Sequence, residues 1–512
     1  MGSRTRRGAL AASFVLLATL APAPAAAGPA GPPVSPALCD ARPNDTHKKL
    51  AECVTLEGVR EHQAALQDIA DANGGTRVSG SPGYDESVDY AAEVLTAAGY
   101  NVTVQPFEFQ TFVVLSPTIL EVVSPTPMVV PNNILTYSGS GDVTAPVSIP
   151  AGDHRGCNAS DFAGFPAGHI ALVQRGAPDG FPVACTFALK VTNAYNAGAV
   201  GVIVYNNAAG VINGTLGATF TLDIGATSVT QAVGQQLAAQ VPGGLVMRLK
   251  TDTFRGIATA ENVLAESKGG NPDNVVMVGA HLDSVNAGPG IQDNGSGSAA
   301  VLEVAEQMAR VNTRNKVRFA LWGAEEASLV GSTYYVANLS AAEKSRITLY
   351  LNFDMIGSPN HVFFVYDGDD SDAVGAGPGP SGSAQIEKTF ERFYEARGIP
   401  YKGTDFSGRS DYGPFIAANI PSGGLFTGAE GIKTVEEAAI WGGTPGIQYD
   451  PCYHLACDTY DNINLAAFDI NADAVAYATL QYAMNTSDVN GVKGKGNFKP
   501  PAPEPEEELA TE

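Results

Sequence analysis

The stretch VVMVGAHLDSVNAGPGIQDNGSGSAAVLEVAEQMAR, residues 275–310, contains the pattern that decides the fold. Residues 275–280 are apolar or small and predict a buried strand that ends at His281. From Gly295 onward, small residues lead into a segment of helical periodicity, which predicts an amphipathic helix over 295–310. A strand, a loop and a helix in this order form the repeating unit of a parallel sheet covered by helices.

The same pattern recurs further along the chain. Residues 317–322 predict a strand followed by Glu325 and Glu326, and residues 349–353 predict a strand followed by Asp354. We therefore predict an α/β fold in which a mostly parallel mixed sheet is flanked by helices. Polar residues at the carboxyl ends of parallel strands meet at one edge of the sheet, where the sites of such folds form.

Five side chains that can bind a metal follow these strands or lie in tight loops: His281, Asp293, Glu326, Asp354 and His454. Two imidazoles and three carboxylates are the donor set that a pair of zinc ions needs. In a natural partition, one zinc takes His281 and Asp354. The other takes Glu326 and His454, and Asp293 bridges both. Two ions together hold a hydroxide and polarise a carbonyl oxygen, as amide hydrolysis requires.

Two further residues have chemical roles beside these ligands. Glu325 can accept a proton from the metal-bound water and later give it to the leaving amine. Tyr453 precedes His454 and can donate a hydrogen bond to the developing oxyanion. Taken singly, each residue has a structural alternative, because Asp293 begins a turn motif, a glutamate pair often starts a helix and a lone histidine is usually structural. We assign the remaining histidines to that structural class: His47, His62, His154, His169 and His361.

Composition divides the chain into segments. Residues 1–27 have a basic start, a short apolar run and Ala25-Ala26-Ala27, which is the layout of a secretory signal peptide. A membrane anchor is the alternative, and the shortness of the apolar run counts against it. The remaining segments are a linker over 28–49, a catalytic domain over 50–111 and 255–487, an inserted β-rich domain over 112–254, and an acidic, proline-rich tail over 488–512 that we expect to be disordered.

Bulk properties bound the function. The 512 residues are 44% hydrophobic and 16% charged, which is the balance of a globular protein. The formal net charge of −23 disfavours nucleic acid and anionic membranes as partners. We therefore expect a secreted, extracellular protein, and we expect a monomer.

The six cysteines fall into three couples that are near in sequence: Cys39 with Cys53, Cys157 with Cys185, and Cys452 with Cys457. An even count in an exported chain predicts disulfides, and these pairings are a preference among many that are open. A zinc site built from cysteine and histidine is the rival interpretation. It fails on spacing, because no two cysteines lie two residues apart.

Five motifs surround the ligands: GAHLDS at 279–284, QDNGSG at 292–297, WGAEE at 322–326, NFDMIG at 352–357 and DPCYH at 450–454. Together they resemble the secreted dizinc aminopeptidases of peptidase clan MH, of the streptomycete leucine aminopeptidase type, over about residues 50–110 and 256–485. The resemblance implies a zinc-exopeptidase fold, two zinc ions per chain, Glu325 as general base, Tyr453 as oxyanion helper, and peptide substrates with a free N-terminus.

The resemblance also implies roles for residues around the ligands. Asp283 orients His281, as zinc-bound imidazole usually needs. Arg409 belongs to the loop FSGRSDYGP at 406–414, which holds the α-amine of the substrate. Met355 and Phe426 line an apolar pocket for large hydrophobic N-terminal residues such as leucine, with plain core packing as their alternative.

Two implied features are structural. A Cys452–Cys457 disulfide shapes the loop that carries His454. Asp469 and Asp473 match two carboxylates of the calcium site that some members have, and the alternative is that they cap or decorate a helix.

The inserted segment resembles a different family. Its runs GHIALVQRG at 168–176 and AGAVGVIVYN at 197–206 are similar to those of a protease-associated (PA) domain. In related peptidases this domain lies near the mouth of the active site, which implies that it acts as a lid or restricts substrate size.

Two alternatives to an aminopeptidase stay open. A carboxypeptidase of the same clan would use the same ligands, but it needs a cationic patch for the terminal carboxylate, and Arg409 is the one cation near the ligands. A non-catalytic binding protein that keeps the fold would usually have lost ligands, whereas this chain has all five and the base.

Overall fold

The computed structural model describes residues 35–491, apart from Asp179, Pro182, Val183, Ala209, Val211, Asn213, Val374 and Ala376. The predicted signal peptide over 1–27, and residues 492–512 of the predicted tail, lie outside the described residues. Within the described part, no helix has the length and apolar character needed to cross a membrane.

Most helices of the described part flank the sheet of the catalytic domain, and α5 and α6 belong to the insert. The helices are α1 (Pro36–Ala41), α2 (His47–Ala51), α3 (Leu56–Ala72), α4 (Pro82–Ala97), α5 (Phe187–Asn196), α6 (Gln231–Gln240), α7 (Gly295–Met308), α8 (Val330–Asn338), α9 (Ala341–Arg346), α10 (Ser383–Glu395), α11 (Tyr412–Ala417), α12 (Val435–Trp441) and α13 (Leu465–Met484).

The strands of the described part belong to one extended sheet. They are β1 (Asn101–Ser124), β2 (Met128–Val129), β3 (Asn133–Ile134), β4 (Gly141–Ser148), β5 (Ile170–Gln174), β6 (Gly201–Tyr205), β7 (Gly225–Val229), β8 (Val246–Glu266), β9 (Asn271–His281), β10 (Asn315–Trp322), β11 (Ile347–Phe353), β12 (Phe364–Tyr366), β13 (Lys402–Thr404) and β14 (Ser422–Phe426).

The catalytic half of the sheet confirms the predicted fold class. Its strand order is β13-β12-β14-β11-β9-β10-β8. The pairs β9–β10, β9–β11, β11–β14 and β12–β13 are parallel, whereas β8–β10 and β12–β14 are antiparallel. The three strands predicted ahead of the ligands correspond to β9, β10 and β11, which lie side by side at the centre of the sheet.

Helix α7 is more deeply buried than the predicted amphipathic helix. All of its residues are buried except Glu306 and Gln307. It packs on β9 on one side and on α3, α4 and α13 on the other. The small residues at its start permit this fit, since a Cβ atom on Gly297 would lie 2.1 Å from the carbonyl oxygen of Phe353.

The insert continues the sheet through β4, β5, β6 and β7, which are parallel to one another, and adds α5 and α6. It is joined to the catalytic domain by a ribbon of β1 and β8, which pair antiparallel from Asn101↔Glu266 to Ser124↔Val246. The predicted domain boundaries near residues 112 and 254 therefore fall inside continuous strands. The residue composition changes near these two positions, but the hydrogen-bonded pairing of β1 with β8 continues across them.

Both predicted terminal segments are more structured than expected where they are described. The predicted linker over 28–49 contains α1 and part of α2, and a disulfide between Cys39 and Cys53 fastens it. At the other end, Val489 packs against the core and Asn490 donates a hydrogen bond to Asn274, so the tail begins later than residue 488.

Candidate metal centre

The predicted ligands converge at the carboxyl edge of the three central strands. His281 is the last residue of β9 and pairs with Trp322, the last residue of β10. Glu326 follows β10 and Asp354 follows β11, on either side of β9. Asp293 lies in the loop between β9 and α7, and His454 lies in the loop closed by the disulfide between Cys452 and Cys457.

Two groups of three potential ligands share Asp293. In the first, His281 Nε2 lies 3.2 Å from Asp293 Oδ1 and 3.4 Å from Asp354 Oδ1. In the second, His454 Nε2 lies 3.2 Å from Asp293 Oδ2 and 3.0 Å from Glu326 Oε2. Ligands placed tetrahedrally about 2.0–2.2 Å from a zinc ion are roughly 3.4 Å apart. The donor atoms are therefore spaced as the ligands of two ions, with one oxygen of Asp293 in each group.

The centre holds more buried acids than bases. Burial disfavours the charged form of His281, but Glu325 and Asp354 outweigh it and raise its pKa well above the ordinary value. Burial also acts against charge on His454, but Glu326 and its neighbours raise that pKa to about 11. Burial raises the pKa of Glu325 well above its usual range. Divalent cations would relieve this excess of negative charge, so the donor set fits two metal ions.

Glu325 lies next to the two ligand groups that contain Asp293, but it is a member of neither. Its Oε2 is 4.0 Å from His281 Nε2, and its backbone N–H donates to Asp283 Oδ1 over 3.2 Å. Glu326, by contrast, turns Oε2 toward His454. The two adjacent glutamates face different atoms, but one donor atom from each of them also lies within 4.8 Å of His281, so the division between base and ligand stays a prediction.

Asp283 supports His281 mainly through its backbone. The imidazole Nδ1 of His281 is 3.1 Å from the carbonyl oxygen of Asp283 and 3.5 Å from its carboxylate Oδ1. Asp283 is the predicted partner of His281, and the contact to its carbonyl oxygen is the shorter of the two. Asp283 therefore connects the first ligand to the backbone of Glu325.

A buried chain of hydrogen bonds ends on Asp354. Trp322 Nε1 donates to Tyr350 Oη over 2.8 Å, and Tyr350 donates to Asn352 Oδ1 over 2.9 Å. Asn352 Nδ2 then donates to Ser410 Oγ over 2.8 Å, and Ser410 donates to Asp354 Oδ2 over 2.6 Å. This leaves Oδ1 of Asp354 to face His281. Sequence reasoning missed the chain, although Ser410 lies within the loop that it had singled out.

Asp458 supports the shared ligand in a similar way. It is buried, and its two oxygens accept from the backbone N–H groups of Gln292 (2.8 Å) and Asp293 (3.0 Å). Asn462 donates to Asp458 Oδ1 and also to Asp450, which joins these two acids. The position of Asp293 thus depends on a residue directly after Cys457, which the sequence analysis had not identified.

Arg77 is a fully buried arginine that binds the loop between His281 and Asp293. Its guanidinium donates to the carbonyl oxygens of Leu282, Pro289 (2.9 Å) and Gly290 (2.7 Å). Burial lowers its pKa to about 10, so the group is still charged at neutral pH. It closes the loop and places a positive charge near the buried acids. No feature of its local sequence identified it.

We expect the substitution Arg77→Met to lower the free energy of unfolding by at least about 2 kcal/mol, because the buried carbonyl groups of Leu282 and Pro289 would each lose their donor at a cost of about 1–3 kcal/mol, whereas the carbonyl of Gly290 would still accept from the backbone N–H of Gly295. Urea unfolding of the zinc-saturated protein measures this. The control Arg310→Met, at an exposed position, should stay within about 0.5 kcal/mol of the wild type. An Arg77→Met protein as stable as the control would contradict the role of this arginine.

A cleft opens over the ligands. Met355 and Phe426 both line it, as the predicted pocket requires. Tyr453 also lines it and stacks on His454, with ring centroids 3.8 Å apart. The apolar side chains and the ligand carboxylates therefore share one cleft.

Arg409 stands at the cleft with its charge already paired. Its guanidinium forms an ion pair with Glu430 at 2.7 Å and donates to Tyr453 Oη over 3.1 Å. The predicted loop is therefore in place at the cleft, but the Arg409 side chain turns toward Glu430 and Tyr453.

The predicted calcium ligands do not gather a third ligand. Asp473 lies on α13 and forms an ion pair with Arg397 at 3.8 Å. Among the described residues, the groups of three potential metal ligands include neither Asp469 nor Asp473. The calcium site remains a prediction from resemblance.

The three disulfides of the structure join the couples that the spacing favoured: Cys39–Cys53, Cys157–Cys185 and Cys452–Cys457. The third encloses His454 in a short loop. This agrees with the implied constraint on the second imidazole.

Comparisons with known proteins give matches in both parts of the chain. Residues 262–479 match the model of peptidase family M28, and residues 141–237 match that of the PA domain. An aminopeptidase of Pseudomonas aeruginosa is 47% identical over 457 residues, covering 86% of this chain and 83% of that protein. Leucine aminopeptidase 2 of Arthroderma otae is 43% identical over 448 residues, covering 86% of each. A zinc aminopeptidase from Bacillus subtilis is 25% identical with a TM-score of 0.60, covering 83% of this chain and 94% of that structure.

Proposed function

This chain belongs to peptidase family M28, and we propose that it is a secreted aminopeptidase whose five convergent ligands hold two zinc ions. Membership of the family makes it a metalloexopeptidase that acts on peptides. The observation that carries the two-ion proposal is the shared carboxylate. Asp293 turns Oδ1 toward His281 and Oδ2 toward His454, each at 3.2 Å.

The residues divide the chemistry between them. When bound, the ions would activate a water molecule and polarise the scissile carbonyl. Glu325 lies beside the ligands and its backbone is anchored to Asp283, so it would take a proton from a water molecule at this centre and pass it to the leaving amine. Tyr453 donates a hydrogen bond to the oxygen of the carbonyl that is attacked. Since Arg409 donates to the Tyr453 oxygen, the hydroxyl proton of Tyr453 is left for this use.

The charge of the cleft favours an N-terminal amine over a C-terminal carboxylate. Glu325 and Asp354 both line it, and a protonated amine would be attracted to them. Of the described residues that line the cleft, Arg409 is the one arginine or lysine, and Glu430 neutralises it. We therefore favour removal of N-terminal residues over a carboxypeptidase.

The same cleft supports a preference for large hydrophobic N-terminal residues. Met355 and Phe426 offer apolar surface, and Phe426 is held by stacking on Phe364 at a centroid distance of 6.0 Å. The relative from Arthroderma otae carries leucine aminopeptidase in its name. Secretion is supported by the three disulfides, which persist in oxidising compartments.

We expect the purified protein to hydrolyse leucine p-nitroanilide and to leave an N-acetylated peptide with a free C-terminus intact. Leucine p-nitroanilide should also be hydrolysed faster than the aspartate analogue, since an apolar pocket does not stabilise a buried carboxylate. Prior dialysis against a zinc chelator serves as the control and should abolish the reaction. Hydrolysis of the blocked peptide alone would overturn the assignment as an aminopeptidase.

A further inference from the structure

A second group of potential metal ligands lies between α3, α4 and α7, apart from the centre described above. It consists of His62 on α3 and of Glu303 and Glu306 on α7. Glu303 is eight residues beyond Gly295, so it lies about 12 Å along the helix axis from the end of α7 that adjoins Asp293. The two sites therefore share no ligand: α7 begins beside the first and carries two ligands of the second.

The donor atoms of this group surround one point. His62 Nε2 lies 3.1 Å from Glu306 Oε2 and 3.7 Å from Glu303 Oε2. One atom from each residue falls within 4.8 Å of the other two. Tetrahedral zinc ligands are roughly 3.4 Å apart, so these separations lie on either side of the expected value. The longer one is beyond a normal hydrogen bond, so Glu303 is left without a close contact to the imidazole.

The histidine is oriented for binding. Its Nδ1 is 2.7 Å from the hydroxyl of Tyr90, which fixes the ring and leaves Nε2 to face the two carboxylates. A hydrogen bond on the far nitrogen is the usual support of a metal-bound imidazole. His62 is also buried, with 5% of its surface exposed.

The space that the carboxylate of Glu303 occupies depends on a glycine, Gly58. A Cβ atom on Gly58 would lie 2.5 Å from Glu303 Oε1, so any side chain at that position would displace the carboxylate. Gln307 donates to Oε1 over 3.2 Å, which leaves Oε2 to point toward His62. Glu303 is 4% exposed, and a buried carboxylate needs a cation close by.

Charge and access also suit a divalent ion. Two glutamates and a neutral imidazole balance a charge of +2, whereas a protonated imidazole leaves the group with one negative charge in excess. The Glu306 side chain is 38% exposed, so an ion can reach the group from solvent. Imidazole nitrogen and carboxylate oxygen are ligands that zinc accepts, with water in the fourth position.

We propose that His62, Glu303 and Glu306 bind a zinc ion that joins α3 to α7. From the sequence alone, His62 belongs to the histidines assigned to the structural class. The ion would stiffen the helix that begins beside Asp293, and it takes no part in the reaction.

The substitution Glu306→Gln tests this, because it removes one ligand from a partly exposed position and threatens the fold least. Full-length wild-type and variant proteins are dialysed against excess Zn²⁺ at neutral pH. Bound zinc per chain is then measured by inductively coupled plasma mass spectrometry. We expect the variant to bind one ion fewer than the wild type and to keep its leucine p-nitroanilide turnover. The control Glu61→Gln removes a charge from an exposed glutamate next to His62 and should bind as many ions as the wild type.

Equal zinc counts in Glu306→Gln and wild type would overturn the proposal. A proton would then hold the group together: burial lowers the pKa of His62, but the carboxylates of Glu303 and Glu306 outweigh it and raise the pKa to about 9. An anomalous difference map of wild-type crystals at the zinc edge gives a second measurement. A peak about 2.1 Å from His62 Nε2 is expected, and a map without one would also overturn the site. Because the count is a difference between two proteins, it does not depend on how many ions the catalytic centre holds.

Discussion

Replacement of Glu325 by glutamine should lower kcat by about 10²–10⁴-fold while bound zinc stays at the wild-type level, since a positioned general base contributes about that factor. Glutamine has nearly the same shape, so Asp283 would still accept the backbone N–H of residue 325. It cannot take a proton from water. The loss should therefore appear in kcat, with little change in the affinity for zinc.

The measurement is turnover of leucine p-nitroanilide together with zinc per chain. Glu436→Gln, at an exposed position of α12, is the matched control and should leave both values unchanged. If Glu325→Gln retained normal turnover, Glu325 would have no part in the mechanism. If it lost zinc, Glu325 would be a ligand and the division between Glu325 and Glu326 would be wrong.

The second large effect is expected at Asp293. Asp293→Ala removes an oxygen from both ligand groups at once, so zinc bound per chain should fall by two and turnover should fall to the level of the chelated enzyme. Each ion that is present at about 100 times its dissociation constant contributes about 2.7 kcal/mol to the free energy of unfolding. The zinc-dependent part of the stability should therefore fall by about 5 kcal/mol.

The comparison variant is Glu326→Gln, which alters a ligand of the second group alone. It should lower the zinc count by at most one under the same conditions. A loss of only one ion from Asp293→Ala would mean that Asp293 is not a shared ligand of two ions. Another carboxylate would then have to be the shared ligand.

The central strands and the ligands at their ends could be predicted because their signals are local. A run of apolar residues followed by His281 or Asp354 marks both a buried strand and the position of its end. Parallel pairing then brings these ends to one edge of the sheet. The sequence spacing of the cysteines likewise favoured the three pairs found.

The supporting residues could not be predicted, because their partners are distant in sequence. Arg77 binds carbonyl groups more than 200 positions away, and Asp458 accepts from Asp293 across 165 positions. Neither has a periodic neighbour that would mark it. Glu303 could not be predicted as a metal ligand for another reason. It falls on a segment with helical periodicity, where an acidic residue normally belongs to the solvent-exposed face.

The predicted domain boundaries near residues 112 and 254 lie at a change in composition, whereas the strand pairing continues across them. Residues near 112 and 254 mark a change in residue texture, yet β1 and β8 remain paired through them. Strand continuity depends on the partner strand, which lies more than 100 residues away in the sequence.

The ribbon of β1 and β8 makes the insert a removable module. Phe112 pairs with Arg255, so the chain leaves and re-enters the catalytic domain at adjacent points, about 4.8 Å apart across the two strands. A short hairpin turn could close that gap and restore an uninterrupted peptidase. Because of this adjacency, the insert extends from the catalytic domain without interrupting the strands that end at the predicted metal ligands.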